Sequence, residues 1–145
     1  MKVVVQRVSQ ASVTVNGRVV GSIGQGLLVL LGIKKDDTKK QQDYLINKIL
    51  NLRIFPNGDL NFDKNVVAVG GQILLVSQFT LYGNCLKGNR PSFYDAMLPD
   101  RAKIAYESFA EALKKAYPQV EEGIFGAVMS VKLINNGPVT VIIEH

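Results

Sequence analysis

The sequence contains very few of the side chains that usually carry chemistry. It has no tryptophan, one cysteine, Cys85, and one histidine, His145, which is its last residue. One cysteine excludes a disulfide within the chain, and a terminal histidine is expected to be frayed rather than catalytic. A Ser-His-Asp or Cys-His arrangement and a zinc site are therefore both unexpected. We predict an activity that uses no metal and no cofactor.

Long apolar segments are also missing. The longest apolar run, residues 26–33, suits a buried strand and is far shorter than the roughly 18 residues of a membrane span. The first ten residues lack the apolar region and cleavage site of a signal peptide. Neither a GxxxxGKS/T phosphate loop nor a GxGxxG turn before a helix is present. We therefore expect one cytoplasmic domain over residues 1–145, without a membrane partner.

Positive charge is in moderate excess. Lysine and arginine outnumber aspartate and glutamate by 17 to 12, and the sequence pI is about 9.4. This balance is compatible with a polyanionic partner such as RNA. Charge alone does not decide the matter, because many proteins carry such a surplus without binding nucleic acid.

Hydrophobic periodicity predicts strands through much of the chain. Residues 2–8 alternate and are rich in valine, and Asn16-Gly17 between two β-branched runs predicts a hairpin. Residues 26–33 predict a strand that is covered on both faces. Later strands are predicted over residues 72–83 (running into a loop), 126–134 and 139–143.

Two segments change to a helical period. In the first, Leu45, Ile49 and Leu52 fall on one face. The second extends from about Pro99, which is well placed in a first turn, to Tyr117. The cap of the first helix has three candidates, Asp36, Asp37 and Thr38.

The remaining segments predict turns and loops. Residues 56–59 form a turn, residues 60–71 are ambiguous, and residues 83–93 resemble an ordered polar loop. Residues 135–138 are all turn-formers, so they either connect two strands or provide backbone with a function of its own. The sum of six or seven strands and two helices favours an α+β fold, with a curved, mostly antiparallel sheet or open β-barrel and two helices packed outside.

If the protein is an enzyme, it has to work by positioning and by backbone dipoles. Oriented N–H groups in a water-poor site can stabilise a developing oxyanion by several kcal/mol. Polar segments at strand ends are where such groups are expected, and two fit: SQFT (residues 77–80) and NGPVT (residues 136–140). Cys85 lies near Lys87 and Arg90 but has no histidine base, so an unreactive loop or core cysteine is favoured.

These two segments resemble those of the D-aminoacyl-tRNA deacylases. The similar stretches are LLVSQFTLYG with KGNRPSF, FGAVMSVKLINNGPVT near the end, and the opening MKVVVQRVSQASVTVNG. Together they cover essentially the whole chain in the family's order. The resemblance implies a homodimeric hydrolase that cleaves the ester between a D-amino acid and the 3′-terminal adenosine of tRNA. It also implies a barrel-like α+β domain with two active sites at the dimer interface.

The resemblance assigns roles to the Gly-Pro pair and to Arg7. Each site would take SQFT from one subunit and Gly137-Pro138 from the other. The Gly137–Pro138 bond is expected to be cis, as about 5–6% of X-Pro bonds are in folded proteins. Its carbonyls would fill the space of an L side chain, so that L-amino acids clash while D-amino acids and glycine enter. Arg7 either braces this segment through carbonyl hydrogen bonds or is a solvated strand residue.

Two mechanisms are open for the SQFT segment. Thr80 carries a hydroxyl, but without an adjacent base that hydroxyl is a weak nucleophile. We favour hydrolysis assisted by the ribose 2′-hydroxyl, with the N–H groups of Phe79 and Thr80 holding the oxyanion. Ser77 and Gln78 would then fix the amino group or the adenine. Phe79 either stacks on the adenine or is a core aromatic.

Other functions and contacts stay open at this level. Lys87 and Arg90 either meet tRNA phosphates, in a salt-dependent manner, or are simply solvated. Three rival functions compete with D-aminoacyl-tRNA deacylation. They are an editing domain that removes a wrong L-amino acid, a non-catalytic RNA-binding barrel, and a purely structural oligomeric barrel.

Overall fold

The computed structural model of the protein describes residues 1–145, and it contains eight strands, two helices and one 3₁₀ turn. The elements are β1 (Lys2–Val15), β2 (Arg18–Ile23), β3 (Gly26–Gly32), α1 (Lys39–Asn51), β4 (Phe55–Asn57), β5 (Leu60–Lys64), β6 (Gln72–Ser77), the 3₁₀ turn (Phe79–Tyr82), α2 (Pro99–Ala116), β7 (Val120–Glu122) and β8 (Ser130–Glu144). The count differs from the sequence prediction because β4, β5 and β7 are short, and because β1 and β8 each join two predicted strands.

The main sheet is mixed and nearly closed on itself. β1 pairs antiparallel with β2, β3 and β8, whereas the β3–β6 and β6–β7 pairs are parallel. At the remaining gap β2 approaches β7, so that a Cβ on Gly21 would lie 2.6 Å from the Glu122 carbonyl oxygen. The expected barrel-like sheet with two helices is confirmed, whereas the expected mostly antiparallel pairing is corrected to mixed pairing. The parallel pairs arise because α1 and α2 provide crossovers that return the chain to the starting edge.

The hairpin between β1 and β2 confirms the prediction from Asn16-Gly17. Both residues have positive φ angles, 49° for Asn16 and 75° for Gly17. A two-residue type I′ turn requires this at both positions, and asparagine and glycine are the residues that tolerate it best.

The hydrophobic core occupies both faces of the central strand β3. Leu27 and Val29 belong to the larger cluster, which α1 and α2 cover with fully buried side chains such as Leu45 and Phe109. Leu28, which points to the opposite face, belongs to a second cluster between β1, β2, β3 and β6. The prediction that β3 is covered on both faces is confirmed.

Helix α1 begins with a capping box at Thr38. The Thr38 hydroxyl accepts a hydrogen bond from the Lys40 N–H, and the Gln41 side chain accepts one from the Thr38 N–H at 3.0 Å. Of the three candidate caps, Thr38 is therefore the cap that forms. Asp37 instead pairs with the amino group of Met1 and accepts a hydrogen bond from the Lys34 N–H.

Replacing Thr38 by alanine should lower the free energy of unfolding by about 1 kcal/mol, because the first turn of α1 loses its side-chain acceptor. Urea unfolding of the variant and the wild type measures the difference. Thr38→Ser keeps the acceptor and should stay within a few tenths of a kcal/mol of the wild type. Equal stability of Thr38→Ala and wild type would show that the capping box contributes nothing.

The C-terminal segment is one continuous strand rather than two strands with a turn. β8 pairs with β1 along most of its length, and Gln6 pairs with Thr140 while Val8 pairs with Asn135. Between these two pairs β1 moves on by two residues and β8 by five. The extra residues of β8 form a bulge at residues 136–139. The turn expected at residues 135–138 is corrected to this bulge, which is a position where a strand tolerates proline.

The other predicted elements need smaller corrections. The turn at residues 56–59 is the centre of the β4–β5 hairpin, and residues 60–64 of the ambiguous segment form β5. Helix α2 begins at Pro99, as predicted, and ends at Ala116, one residue before the predicted end at Tyr117. Neither helix has the length and apolar character needed to cross a membrane.

Candidate active site

The SQFT segment lies where β6 ends and the chain turns away from the sheet. Ser77 is the last residue of β6 and pairs with Leu31 of β3. The Gln78 N–H donates to the Leu31 carbonyl at 2.8 Å, and the 3₁₀ turn starts at the next residue. Gly32 lets this turn fold down onto the sheet, because a Cβ at Gly32 would meet the Leu81 Cβ at 3.0 Å.

The first two residues of the 3₁₀ turn leave their backbone N–H groups free. The turn is closed by bonds from the Leu81 N–H to the Gln78 carbonyl (3.2 Å) and from the Gly83 N–H to the Thr80 carbonyl (2.9 Å). None of the backbone hydrogen bonds that leave the regular elements uses the N–H of Phe79 or Thr80, and the opening residues of a helical turn have no acceptor within it. Two adjacent donors are thus available for a ligand oxygen.

Thr80 is an exposed residue of the 3₁₀ turn and does not belong to the strand. Its hydroxyl oxygen accepts a hydrogen bond from the Gln78 side-chain amide. The strand predicted over residues 72–83 therefore ends before Thr80, at Ser77. The neighbouring group donates to the hydroxyl and is too weak a base to take its proton, so nothing in contact with Thr80 activates it as a nucleophile.

Phe79 is a surface aromatic at the edge of a groove. Its side chain is 57% exposed, and its ring meets the edge of the Phe93 ring with centroids 5.0 Å apart and planes 64° apart. The alternative that Phe79 is a core residue is wrong. An exposed aromatic face of this kind can stack on a flat heterocycle.

The groove beside SQFT has a volume of about 650 Å³ and is mainly apolar. Most of its lining was not singled out in the sequence, because it comes from four separate segments that only the fold brings together. It is lined by Leu31, Ile33, Val76, Ser77, Gln78, Phe79, Phe93, Ala96, Met97, Leu98, Pro99, Ala102, Phe125, Gly126, Ala127, Met129 and Val131. An apolar cleft with a few polar groups at one end suits a small aromatic ligand that carries a polar reacting group.

Titratable side chains are absent from the lining of this groove. The nearest tyrosine along the chain is Tyr82, at the end of the 3₁₀ turn, and burial together with the charges of Asp37, Glu144 and Asp95 raises the pKa of its hydroxyl well above the usual range. Tyr82 therefore stays protonated near neutral pH and cannot serve as a base. Whatever chemistry occurs in the groove depends on main-chain donors, amides, hydroxyls and the ligand itself.

The Gly-Pro pair forms the exposed tip of the β8 bulge. The Gly137–Pro138 bond is cis, as the resemblance implied. The Asn135 side chain ties the bulge together by accepting a hydrogen bond from the Val139 N–H at 2.8 Å. Gly137 has a φ angle of 145°, which a residue with a Cβ rarely adopts.

Arg7 fastens the bulge to a neighbouring segment through two hydrogen bonds. Its Nε donates to the Asn136 carbonyl at 2.7 Å, and its Nη1 donates to the Ile54 carbonyl at 2.6 Å. The solvated alternative for Arg7 is therefore wrong, and the carbonyl contact that the resemblance implied is present. One guanidinium group fixes the residue before Gly137 to the chain entering β4.

Within one chain the Gly-Pro bulge lies far from SQFT. Arg7 pairs with Leu27, and Leu27 pairs with Ile73, which precedes Ser77 by four residues along β6. Strand geometry then puts the bulge three strand spacings, about 14 Å, across the sheet from β6 and about 13 Å along it from SQFT. The structure does not bring the two sequence motifs together in a single subunit.

Comparison with known proteins identifies the family of this chain. A family model described as "D-Tyr-tRNA(Tyr) deacylase" matches residues 4–144. The chain is 51% identical over 145 residues to the D-aminoacyl-tRNA deacylase of Thermosipho melanesiensis, with 99% of this chain and 97% of that protein covered. It is 53% identical over 144 residues to that of a Geobacillus species, with 99% and 95% covered.

The chain belongs to the D-aminoacyl-tRNA deacylase family. It is therefore a hydrolase that acts on D-aminoacyl-tRNA. The rival interpretations as an L-amino-acid editing domain, a non-catalytic RNA-binding barrel or a structural barrel are set aside.

Solved structures share the deacylase fold. A structure described as "c-Myc DNA Unwinding Element Binding Protein" superimposes with a TM-score of 0.95 at 47% identity, and the match covers 100% of this chain and 99% of that one. A probable eukaryotic D-amino acid tRNA deacylase superimposes with a TM-score of 0.86 at 20% identity, with 98% and 97% covered. At the latter identity the likeness concerns the fold alone.

The other residues singled out in the deacylase sequence lie outside the groove. Lys87, Arg90 and Cys85 are exposed in the loop over residues 83–93, whose base is closed by hydrogen bonds between Asn84 and Ser92. The core alternative for Cys85 is therefore wrong. The expectation that His145 is frayed is wrong, because its ring stacks on that of Tyr44 with centroids 4.1 Å apart.

Proposed function

We propose that this deacylase works as a homodimer in which the Gly137-Pro138 bulge of one subunit enters the groove of the other. One observation supports this proposal most strongly. The bulge is exposed and is held by Arg7, yet it lies well away from the SQFT segment of its own chain. A bulge that screens the amino acid has to reach a groove, and only a second copy offers one. In a two-fold arrangement each subunit gives its bulge and receives its partner's, so two equal sites form.

The exposed face of β8 supports such an interface. Ile134 and Ile142 project from this strand on either side of the bulge, and both side chains are at least half exposed. Burying such side chains against a second copy would contribute to association through the hydrophobic effect. The interface would then be continuous with the two residues that have to enter the partner's site.

The proposed selection rejects L-amino acids by steric exclusion. The main chain of Gly137 and Pro138 would fill the space that an L side chain needs, whereas a D side chain would leave in another direction. Because such a filter rejects by clash, it does not have to recognise the D side chain. We therefore expect many D-amino acids to be accepted.

The proposed chemistry uses the groove and the free donors beside it. The terminal adenine would lie in the apolar groove and stack on Phe79, which is exposed at its edge. The ester carbonyl would then face the free N–H groups of Phe79 and Thr80, which stabilise the oxyanion as water attacks the ester. The ribose 2′-hydroxyl would orient that water, and Ser77 and Gln78 would hold the amino group.

The whole scheme is tested by following the release of free amino acid from three substrates: D-tyrosyl-tRNA, L-tyrosyl-tRNA and glycyl-tRNA. We expect rapid hydrolysis of the D-ester, slower but measurable hydrolysis of the glycyl ester, and at least about 100-fold slower hydrolysis of the L-ester, because one steric clash of a few kcal/mol suffices for that ratio. Glycine has no side chain to clash, so it separates exclusion from recognition. Rejection of glycine as strong as that of L-tyrosine would contradict an exclusion-only filter.

Two further expectations concern the body of the tRNA and the compartment in which the enzyme works. Lys87 and Arg90 would meet backbone phosphates, so their contribution to tRNA binding should fall as salt rises. Charged tRNA is a cytoplasmic substrate, and we place the enzyme in that compartment.

A further inference from the structure

A tyrosine and a lysine lie beside the groove and take no part in the chemistry above. The Tyr94 side chain is 80% exposed, and the Lys35 Nζ lies 3.8 Å from the centroid of its ring. Phe93 and Ala96, on either side of Tyr94 in the chain, both line the groove. Tyr94 therefore stands at the rim of the groove, and we call the pair the Lys35–Tyr94 shelf.

The shelf is held by backbone contacts between two segments. The Lys35 N–H donates to the Asp95 carbonyl at 3.1 Å, and Lys34 forms a β-bridge with Ala96. The Met97 N–H, next along the chain, donates to the Ile33 carbonyl at 2.9 Å. The segment after β3 and the segment before α2 are thus fastened together, which fixes where the exposed ring points.

We propose that the Lys35–Tyr94 shelf binds the unpaired nucleotides that precede the terminal adenosine of tRNA. This inference rests on the proposed function, because it needs the terminal adenosine to lie in the groove. Unpaired bases stack on exposed aromatic rings with little dependence on sequence. Lys35 covers one face of the Tyr94 ring, and the high exposure of that ring leaves the opposite face for a base. The Lys35 ammonium lies 3.9 Å from the Asp95 carboxylate, on the exposed side where it can also approach the adjoining phosphate.

The chemistry of the surroundings favours RNA over other occupants. Phe79, Phe93 and Tyr94 are all at least partly exposed, Phe79 and Phe93 line the groove with their rings in contact, and Tyr94 follows Phe93 directly in the chain. Lys87 and Arg90 lie exposed on the same loop. Alternating aromatic and basic side chains are the usual surface for a single nucleic-acid strand.

The test compares two substrates, D-tyrosyl-tRNA and 3′-O-(D-tyrosyl)adenosine, which lacks the preceding nucleotides. Tyr94→Ala should lower kcat/KM for the tRNA about tenfold, mainly through KM, as expected for one lost stacking contact. The same variant should hydrolyse the adenosine ester like the wild type, and Tyr94→Phe should behave like the wild type on both substrates. An equal loss on both substrates, or no loss on either, would overturn the proposal.

The matched control is Tyr44→Ala. Tyr44 also has a lysine near its ring, Lys48 with its Nζ 5.5 Å from the centroid, but it lies on α1 outside the groove lining. This variant should retain the wild-type kcat/KM on both substrates. A tenfold loss on tRNA alone for Tyr44→Ala as well would mean that any exposed tyrosine has the same effect, which contradicts a specific shelf.

Binding of uncharged tRNA, followed by fluorescence anisotropy over a range of salt concentrations, separates the shelf from the catalytic proposal. Tyr94→Ala should weaken binding, and Lys35→Ala should reduce the slope of log K against log salt by roughly 0.7, the value for one phosphate contact on a single strand. If wild-type protein cleaves neither ester but both binding effects appear, the mechanism fails and the shelf stands. Unchanged binding in both variants would overturn the shelf.

Discussion

Replacing Gly137 by alanine is expected to remove most of the deacylase activity and to leave the chain folded. A Cβ at Gly137 would lie 2.6 Å from the Val139 Cγ2 and 2.9 Å from the Arg7 Nη2. The φ angle of 145° at Gly137 adds strain for any residue with a side chain. The bulge therefore has to shift, and a shift of about 1 Å in a group that positions substrate costs about 100-fold in rate.

The measurement is kcat/KM on D-tyrosyl-tRNA, with thermal unfolding of the same samples to verify the fold. Gly70→Ala is the matched control. Gly70 also has a positive φ, 60°, but no atom lies within 4 Å of a Cβ there, and it precedes the start of β6, at the end of that strand away from SQFT. It should lose about 1 kcal/mol of stability and no activity. A folded Gly137→Ala enzyme with wild-type kcat/KM would contradict the role of the bulge.

Local signals were sufficient where neighbouring residues determine the geometry. The Asn16-Gly17 turn depends on two residues that accept positive φ, and the start of α2 depends on a proline that suits a first turn. Such features hardly change with the rest of the fold. They could be read from a short window of sequence.

Long-range pairing explains most of what the sequence alone could not show. Residues 135–138 are turn-formers in isolation, but hydrogen bonds to β1 keep the chain extended on both sides of them, so they form a bulge instead. The parallel pairs β3–β6 and β6–β7 were missed for the same reason, since partners far apart in sequence leave no local pattern. The role of Arg7 stayed open until its acceptors, Asn136 and Ile54, were placed.

The candidate site also combines features that local sequence predicts with features that depend on long-range contacts. Scarcity of catalytic side chains indicated backbone donors at strand ends, and SQFT was one of the two polar segments that fitted this expectation. The groove was not foreseen, because Phe93, Phe125 and Met129 come from segments with no shared motif. Backbone donors that lie within one segment can be recognised as a short sequence motif. An apolar binding surface assembled from several separate segments cannot.

Removing the 2′-hydroxyl of the terminal ribose should slow hydrolysis far more than removing the hydroxyl of Thr80. The Thr80 hydroxyl accepts a hydrogen bond from Gln78 and touches no base, so Thr80→Ala loses only a positioning contact, at less than about tenfold in kcat. The 2′-hydroxyl adjoins the ester and can orient the attacking water. Its loss should cost on the order of 100-fold, the lower end of the range for a group that assists proton transfer.

The comparison uses D-tyrosyl-tRNA ending in either adenosine or 2′-deoxyadenosine, with wild type and Thr80→Ala. Each rate is divided by the rate in buffer alone, because the 2′-hydroxyl also speeds spontaneous hydrolysis of the ester. Thr80→Ser, which keeps the hydroxyl, is the matched variant and should be close to wild type. If Thr80→Ala is inactive while the 2′-deoxy substrate still reacts, Thr80 is the nucleophile. Retained activity in Thr80→Ala would instead leave the free N–H groups of residues 79 and 80 as the protein's contribution to the chemical step, because no titratable side chain lines the groove.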